Sequence, residues 1–173
     1  MNVDIVLFQY YSFKDMSKKN FFHIFNIPVS YKIDETELTK VYFQLQKKQY
    51  LDCPCKEGTA TIDLSDLNIA YKTLINPIDR AEHFLEVQGV SIIDKLPMIF
   101  AEEMFEIRQQ YELLQTDIQK KDFIADLKKR MAEIISSLHN FESDLVKFRD
   151  QTGLLRFINS FLEKVESNAY SRD

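Results

Sequence analysis

The side chains best suited to chemistry are three histidines, two cysteines and a run of carboxylates, and their spacing supports no reaction. His23, His83 and His139 fall on three separate helical stretches. A general acid, a base or a metal centre needs groups that converge on one point, so each histidine is read as a surface or half-buried side chain. Cys53-Pro54-Cys55 holds both cysteines. Two are too few for a disulfide framework or a four-ligand zinc site. They read as thiols in a loop of a protein in a reducing compartment, with half a metal site or a strained redox pair as the alternatives. Glu102, Glu103 and Glu106 cluster on one helical stretch; they form either a solvated face or a partner-binding face. There is no Gly-rich phosphate loop, no paired metal-ligand motif and no nucleophile elbow. The reading is of a protein that is not an enzyme, needs no cofactor or metal, and acts through its surfaces.

Those surfaces must be carried by helices. The 173 residues are 45% apolar and 28% charged, a globular balance. They include only 3 glycines and 4 prolines, roughly 4% of the chain where about 12% is usual. Strand-rich folds need turn residues at short intervals, so the composition predicts an all-α protein with few connections. A net charge of −5 disfavours a general nucleic-acid binder, which is usually basic. No apolar run approaches the roughly 18 residues of a membrane span. The chain is therefore expected to bind neither nucleic acid nor membrane and to be cytoplasmic.

The sparse punctuation places the helices. Phe21-Phe22-His23-Ile24-Phe25 is a short aromatic segment ended by Asn26-Ile27-Pro28. Asp34 precedes Glu37 by a capping-box spacing. Behind it Leu38, Val41, Tyr42 and Leu45 form one helical face running to about Gln49, with Lys40, Lys47 and Lys48 opposite. A loop around Pro54 closes at Glu57-Gly58 and leads to a second face of Leu64, Leu67, Tyr71 and Leu74. Asn76-Pro77 opens a third helix, and Gly89 stops it. Beyond Pro97, Phe100, Met104, Ile107, Tyr111 and Leu114 repeat at helical spacing. Phe123, Leu127, Met131, Ile134, Leu138, Phe141, Leu145 and Phe148 then make one sustained seam. Gly153 is expected to interrupt it before a last helix containing Leu154, Ile158, Phe161, Leu162 and Val165.

The organisation read from this is an N-terminal extension over 1–19, a helical hairpin domain over 20–90 and an antiparallel three-helix bundle over 91–173. Val3 to Phe13 is apolar and aromatic, but no basic segment precedes it and Asp4 interrupts it, unlike a signal peptide. Residues 1–15 contribute no periodic face, and Met16 offers a second start. The segment is read as a loosely packed appendage or an over-extended start of the reading frame.

The stretch from Asn68 to Leu85, NIAYKTLINPIDRAEHFL, resembles the most characteristic segment of the HscB family, the J-domain co-chaperones of iron–sulfur cluster assembly, whose pattern is N-x-A-Y-x-T-L-x-x-P-x-x-R-A-E-Y-L-L. Phe21 to Pro28 is similar to that family's opening Y-F-x-L-F-G-L-P. Glu106-Ile107-Arg108 and Arg156-Phe157-Ile158 resemble its E-L-R and R-F-L. The resemblance covers about residues 20 to 165. It implies a J-domain-like hairpin followed by a helical bundle, and two partners: an HscA- or DnaK-type ATPase chaperone and the iron–sulfur cluster scaffold protein.

One departure is central. J-domains carry His-Pro-Asp after their second helix, and the family uses it to stimulate the chaperone's ATPase. The aligned residues here are Tyr50, Leu51 and Asp52. A phenol replaces a two-nitrogen imidazole, and leucine removes the proline that fixes φ. With Lys40, Lys47 and Lys48, these residues make up the chaperone surface that the resemblance implies. The implied scaffold surface is an apolar patch with an acidic rim at Ala101, Glu102, Phe105, Glu106, Gln109 and Phe157. Ala101 and Glu102 stand where larger apolar residues are usual, and Gln109 replaces an acid. The first reading is a scaffold-presenting co-chaperone. A degenerate J-like protein that no longer triggers ATP hydrolysis is the second, and a helical interaction module with an unrelated partner is the third.

Overall fold

The computed structural model describes residues 19–51, 63–91 and 98–170. Among them the chain is all helical. The elements are α1 (Phe21–Ile24), α2 (Glu35–Leu51), α3 (Leu64–Ile75), α4 (Pro77–Val87), α5 (Met98–Leu113), α6 (Asp117–Ser137), a 3-10 turn (Leu138–Phe141) and α7 (Leu145–Tyr170). The expectations for residues 1–15 and for the Cys53-Pro54-Cys55 loop lie outside the described residues.

Short polar side chains begin most of these helices by taking up backbone N–H groups that have no intrahelical partner. Asp34 accepts from the backbone of Thr36 at 2.9 Å and of Glu37 at 3.0 Å, as its spacing foretold. Glu37 pairs with Lys40 at 3.2 Å. Asn76 caps α4 ahead of Pro77, and Gly89 adopts φ +72° beyond its end. Asn26 at φ +54° turns the chain out of α1.

The α2 and α3 faces meet as anticipated. Leu38, Leu67 and Leu74 are buried in one core, with Tyr42, Leu45 and Tyr71 packed against it. The Tyr42 and Tyr71 rings stack at 4.1 Å. The Tyr42 hydroxyl donates to Asn68 at 2.8 Å and accepts from Gln46 at 2.6 Å, so the polar end of a half-buried ring is satisfied. Phe22, Phe25, Phe84 and Leu85 belong to the same core, and Leu138, Phe148 and Leu155 from the C-terminal half complete it.

A second core joins α5, α6 and α7 through Met104, Ile107, Leu127, Leu154, Ile158 and Leu162. Its helices run antiparallel. Glu103 pairs with Arg130, Tyr111 lies 6.0 Å from Phe123 nearer the turn, and Lys128 reaches Glu166 at 2.6 Å.

The C-terminal helices depart from the expected pattern in three places. First, the seam from Phe123 to Phe148 is not one helix. α6 ends at Ser137, a 3-10 turn follows, and Asp144 starts α7 by accepting from the Lys147 backbone at 3.2 Å. The seam serves two cores, with Phe123 and Leu127 on the second and Leu138 and Phe148 on the first. Second, Gly153 does not interrupt α7. An interior glycine costs about 1 kcal/mol relative to alanine, and its buried neighbours Thr152, Leu154 and Leu155 hold the helix through it. Third, α6 begins earlier than read, at a Thr116–Gln119 capping box.

Candidate functional site

Two exposed helix faces carry the residues singled out from the sequence, and a buried network holds the halves of the molecule together.

The first face is on α2. Leu38, Tyr42 and Leu45 turn inward, which leaves Thr36, Lys40, Phe43 and Lys47 along the outer side at 3.6 residues per turn. Lys40, Lys47, Lys48 and Phe43 are exposed, Phe43 by 60%. Lys47 and Lys48 engage no carboxylate among the described residues. Phe43, Thr39 and Lys40, with Ile75 across from them on α3, line a shallow groove. The backbone of Tyr50 and Leu51 is helical, so α2 runs past the expected stop at Gln49. A leucine permits the extra residues, whereas a proline at 51 would clash with the preceding turn. Asp52 lies outside the described residues.

The second face is on α5. Met104 and Ile107 are buried in the bundle core. Ala101, Glu102, Phe105, Glu106 and Gln109 therefore share the outward side, and all five are exposed, Phe105 by 62%. Phe157 is placed differently. It is half-buried on α7 and packs against the core that contains Met104 and Ile107. Glu102 and Glu106 are in no ion pair among the described residues, whereas Glu103 is half-buried and held by Arg130. The three-glutamate cluster thus splits into two outward carboxylates and one structural one.

The R-A-E segment, read from the sequence only as a family mark, is structural. Arg80 is buried. Its guanidinium donates to the Leu74 carbonyl at 2.9 Å and to Glu35 at 3.2 and 3.3 Å, and lies 5.1 Å from the centre of the Tyr31 ring. The Tyr31 hydroxyl in turn reaches the Ile135 carbonyl at 3.4 Å, and its ring meets Phe148 edge-on. Arg80 thereby ties α4 to α2 and α3, and through Tyr31 to the C-terminal helices. Burial raises the Tyr31 pKa, with Arg80 opposing the rise. Arg80→Ala is expected to cost about 3 kcal/mol, because the Leu74 carbonyl loses its donor and Tyr31 its cation. A thermal melt should show Tm falling by roughly 5–10 °C for a chain of this size.

His83 is buried, contrary to the expectation of a surface or half-buried ring. Its Nε2 accepts from the Phe21 backbone N–H at 3.0 Å, and its ring stacks on Phe21 and Phe22. Accepting at Nε2 places the proton of the neutral ring on Nδ1, which faces Glu86 at 3.4 Å. The aromatic stacking, which no sequence spacing reveals, accounts for the burial.

Glu82 links α4 to Arg156 of α7 at 3.6 Å. Desolvation raises its pKa, Arg156 lowers it, and Asp79 and Glu86 raise it further. A carboxyl whose folded pKa is raised contributes stability that is full at acid pH and is lost as pH rises through the folded pKa. The difference in unfolding free energy between Glu82→Gln and wild type should therefore shift in favour of the variant as pH rises from about 4 to 7, read by urea melts at each pH.

No helix among the described residues is long and apolar enough to cross a membrane. No group of three or more potential metal ligands occurs among them either.

The same order of elements is found in known proteins. No family model matches the chain. The co-chaperone protein HscB of Proteus mirabilis is 26% identical over 164 residues, which cover 85% of this chain and 94% of that protein. The iron–sulfur cluster co-chaperone protein HscB of Mus musculus is 25% identical over 159 residues, 86% of this chain and 68% of that one. The structure of the chaperone HscB from Vibrio cholerae superposes with a TM-score of 0.67 at 25% identity and covers 87% of this chain and 99% of its own. Over most of its length the chain is similar to HscB co-chaperones. Its fold is the J-domain-like hairpin, α2 with α3, followed by the bundle of α5, α6 and α7. In this chain the R-A-E segment is the place where α4 is fastened to both halves.

Proposed function

We propose that the chain is a co-chaperone of iron–sulfur cluster assembly. It binds the cluster scaffold protein on the outer face of α5 and presents it to an HscA- or DnaK-type ATPase chaperone bound at α2. The observation that carries this reading is the exposed Phe105 with unpaired Glu102 and Glu106 beside it, on a helix whose other side is fully used by the bundle core. An aromatic ring left in water inside an acidic rim contributes nothing to folding and suits a partner that supplies an apolar pocket and basic groups. Lys40, Lys47 and Lys48 serve the chaperone side by steering an acidic surface. Titration of the scaffold protein into the full-length chain, followed by calorimetry, tests the reading. Saturable binding supports it, and no binding by the folded chain overturns it.

A second reading is favoured by one observation. The positions aligned with His and Pro of the J-domain trigger, Tyr50 and Leu51, continue the α2 helix. Under that reading the chain still binds scaffold and chaperone but stimulates ATP hydrolysis weakly or not at all.

A further inference from the structure

An exposed apolar side chain stands close to where the chain enters the folded body. Lys19 forms an ion pair with Asp66 in the first turn of α3. Ile69 follows Asp66 by three residues, about 60° around the helix and about 4.5 Å along its axis. It is 50% exposed and packs in neither core. The other large exposed apolar side chains among the described residues, Phe43, Phe105, Leu113, Ile118 and Val146, are on other helices. Ahead of Lys19, the 11 residues from Val3 to Phe13 include 8 apolar or aromatic ones.

We propose that Val3 to Phe13 packs as an intramolecular strap across the outer side of α3, with Ile69 as its apolar contact. The proposal goes beyond the function proposed above and does not depend on it. Reach supports this occupant. Phe13 stands six residues before Lys19, a span of about 20 Å at full extension, and Lys19 is itself held one turn from Ile69. Charge supports it as well. Lys14 and Lys18 precede Lys19 and complement Asp63 and Asp66 at the start of α3, where an ion pair already forms. Size separates a strap from a second copy of the chain. Ile69 is flanked on its exposed side by Ser65, Asp66 and Lys72, an apolar area far below the roughly 800 Å² per partner of a stable interface. A tethered segment needs much less, because its effective concentration is on the order of millimolar. An extended strap also needs no helical period, so the absence of a periodic face in residues 1–15 does not oppose it.

The chain contains no tryptophan, so Phe8→Trp places a single indole in the strap of the full-length protein. Its fluorescence should be blue-shifted and shielded from acrylamide, independent of protein concentration. Adding Ile69→Gln, which puts a polar side chain of good helix propensity at an exposed position, should abolish the blue shift and the shielding while far-UV melting curves show a folded chain. Adding Val146→Gln, at an exposed site on α7, should change neither. Emission typical of indole in water from the folded Phe8→Trp protein overturns the strap. Shielding that survives Ile69→Gln overturns Ile69 as its seat. Shielding that grows with protein concentration assigns the segment to a second copy and overturns the intramolecular contact.

Discussion

The double change Tyr50→His with Leu51→Pro is expected to raise stimulation of the partner chaperone's ATPase by about fivefold or more, the low end of a typical coupling between two linked sites. Wild type should bind the chaperone in a salt-sensitive way and stimulate it weakly. The two effects have different physical needs. Steering an acidic surface needs charge, which Lys40, Lys47 and Lys48 present on the outside of α2. Driving hydrolysis needs a contact that favours one chaperone state over another. In wild type the backbone is still helical at Tyr50 and Leu51. Proline at 51 would end the helix there and disfavour helical geometry at 50, while histidine would restore a two-nitrogen side chain. A steady-state ATPase assay, with melting curves to show that the variant stays folded, reads the outcome. Strong stimulation by wild type, resistant to both salt and Asp52→Ala, would mean that the trigger lies elsewhere on the chain.

Phe105→Ala is expected to weaken scaffold binding by about thirtyfold, the equivalent of roughly 2 kcal/mol, because a buried aromatic anchor carries a disproportionate share of an interface. The exposure of Phe105 makes this a clean test. A ring that packs on neither core can be removed without a cavity, so the melting temperature should hold while the affinity falls. Phe157→Ala is less direct. That ring packs against the bundle core, and its truncation should lower stability as well as affinity. Glu102→Gln should act mainly on the association rate and its salt dependence. Normal scaffold binding by a folded Phe105→Ala protein would remove α5 as the contact face.

The amphipathic faces were legible because burial imposes a period on the sequence. Leu38, Tyr42 and Leu45 announce a helix and the side on which it packs, and Asn76-Pro77 and Gly89 announce where the next begins and ends. What escaped was set by contacts distant in sequence. The seam from Phe123 to Phe148 keeps helical spacing across a break, since two cores on either side of a 3-10 turn both require apolar residues in step. The break had a local mark in Asp144, a capping residue outweighed by the unbroken period. Gly153 had the opposite effect, a local stop signal overridden by packing around it. The candidate faces were partly legible. Spacing put Phe105 beside Glu102 and Glu106, but only the fold separates Glu103, spent on Arg130, from its two outward neighbours. Arg80 and His83 carried no mark of burial, because a buried cation or imidazole depends on partners such as Glu35, Tyr31 and the Phe21 backbone that no short motif brings together.

Under the proposed function the chain bridges scaffold and chaperone. Sedimentation velocity of labelled scaffold protein with the ATPase chaperone, at low salt and with or without the full-length chain, measures this most directly. Scaffold should move with the chaperone when wild type is present, and Phe105→Ala should release it. Scaffold that sediments alone in the presence of folded wild-type chain would contradict the account.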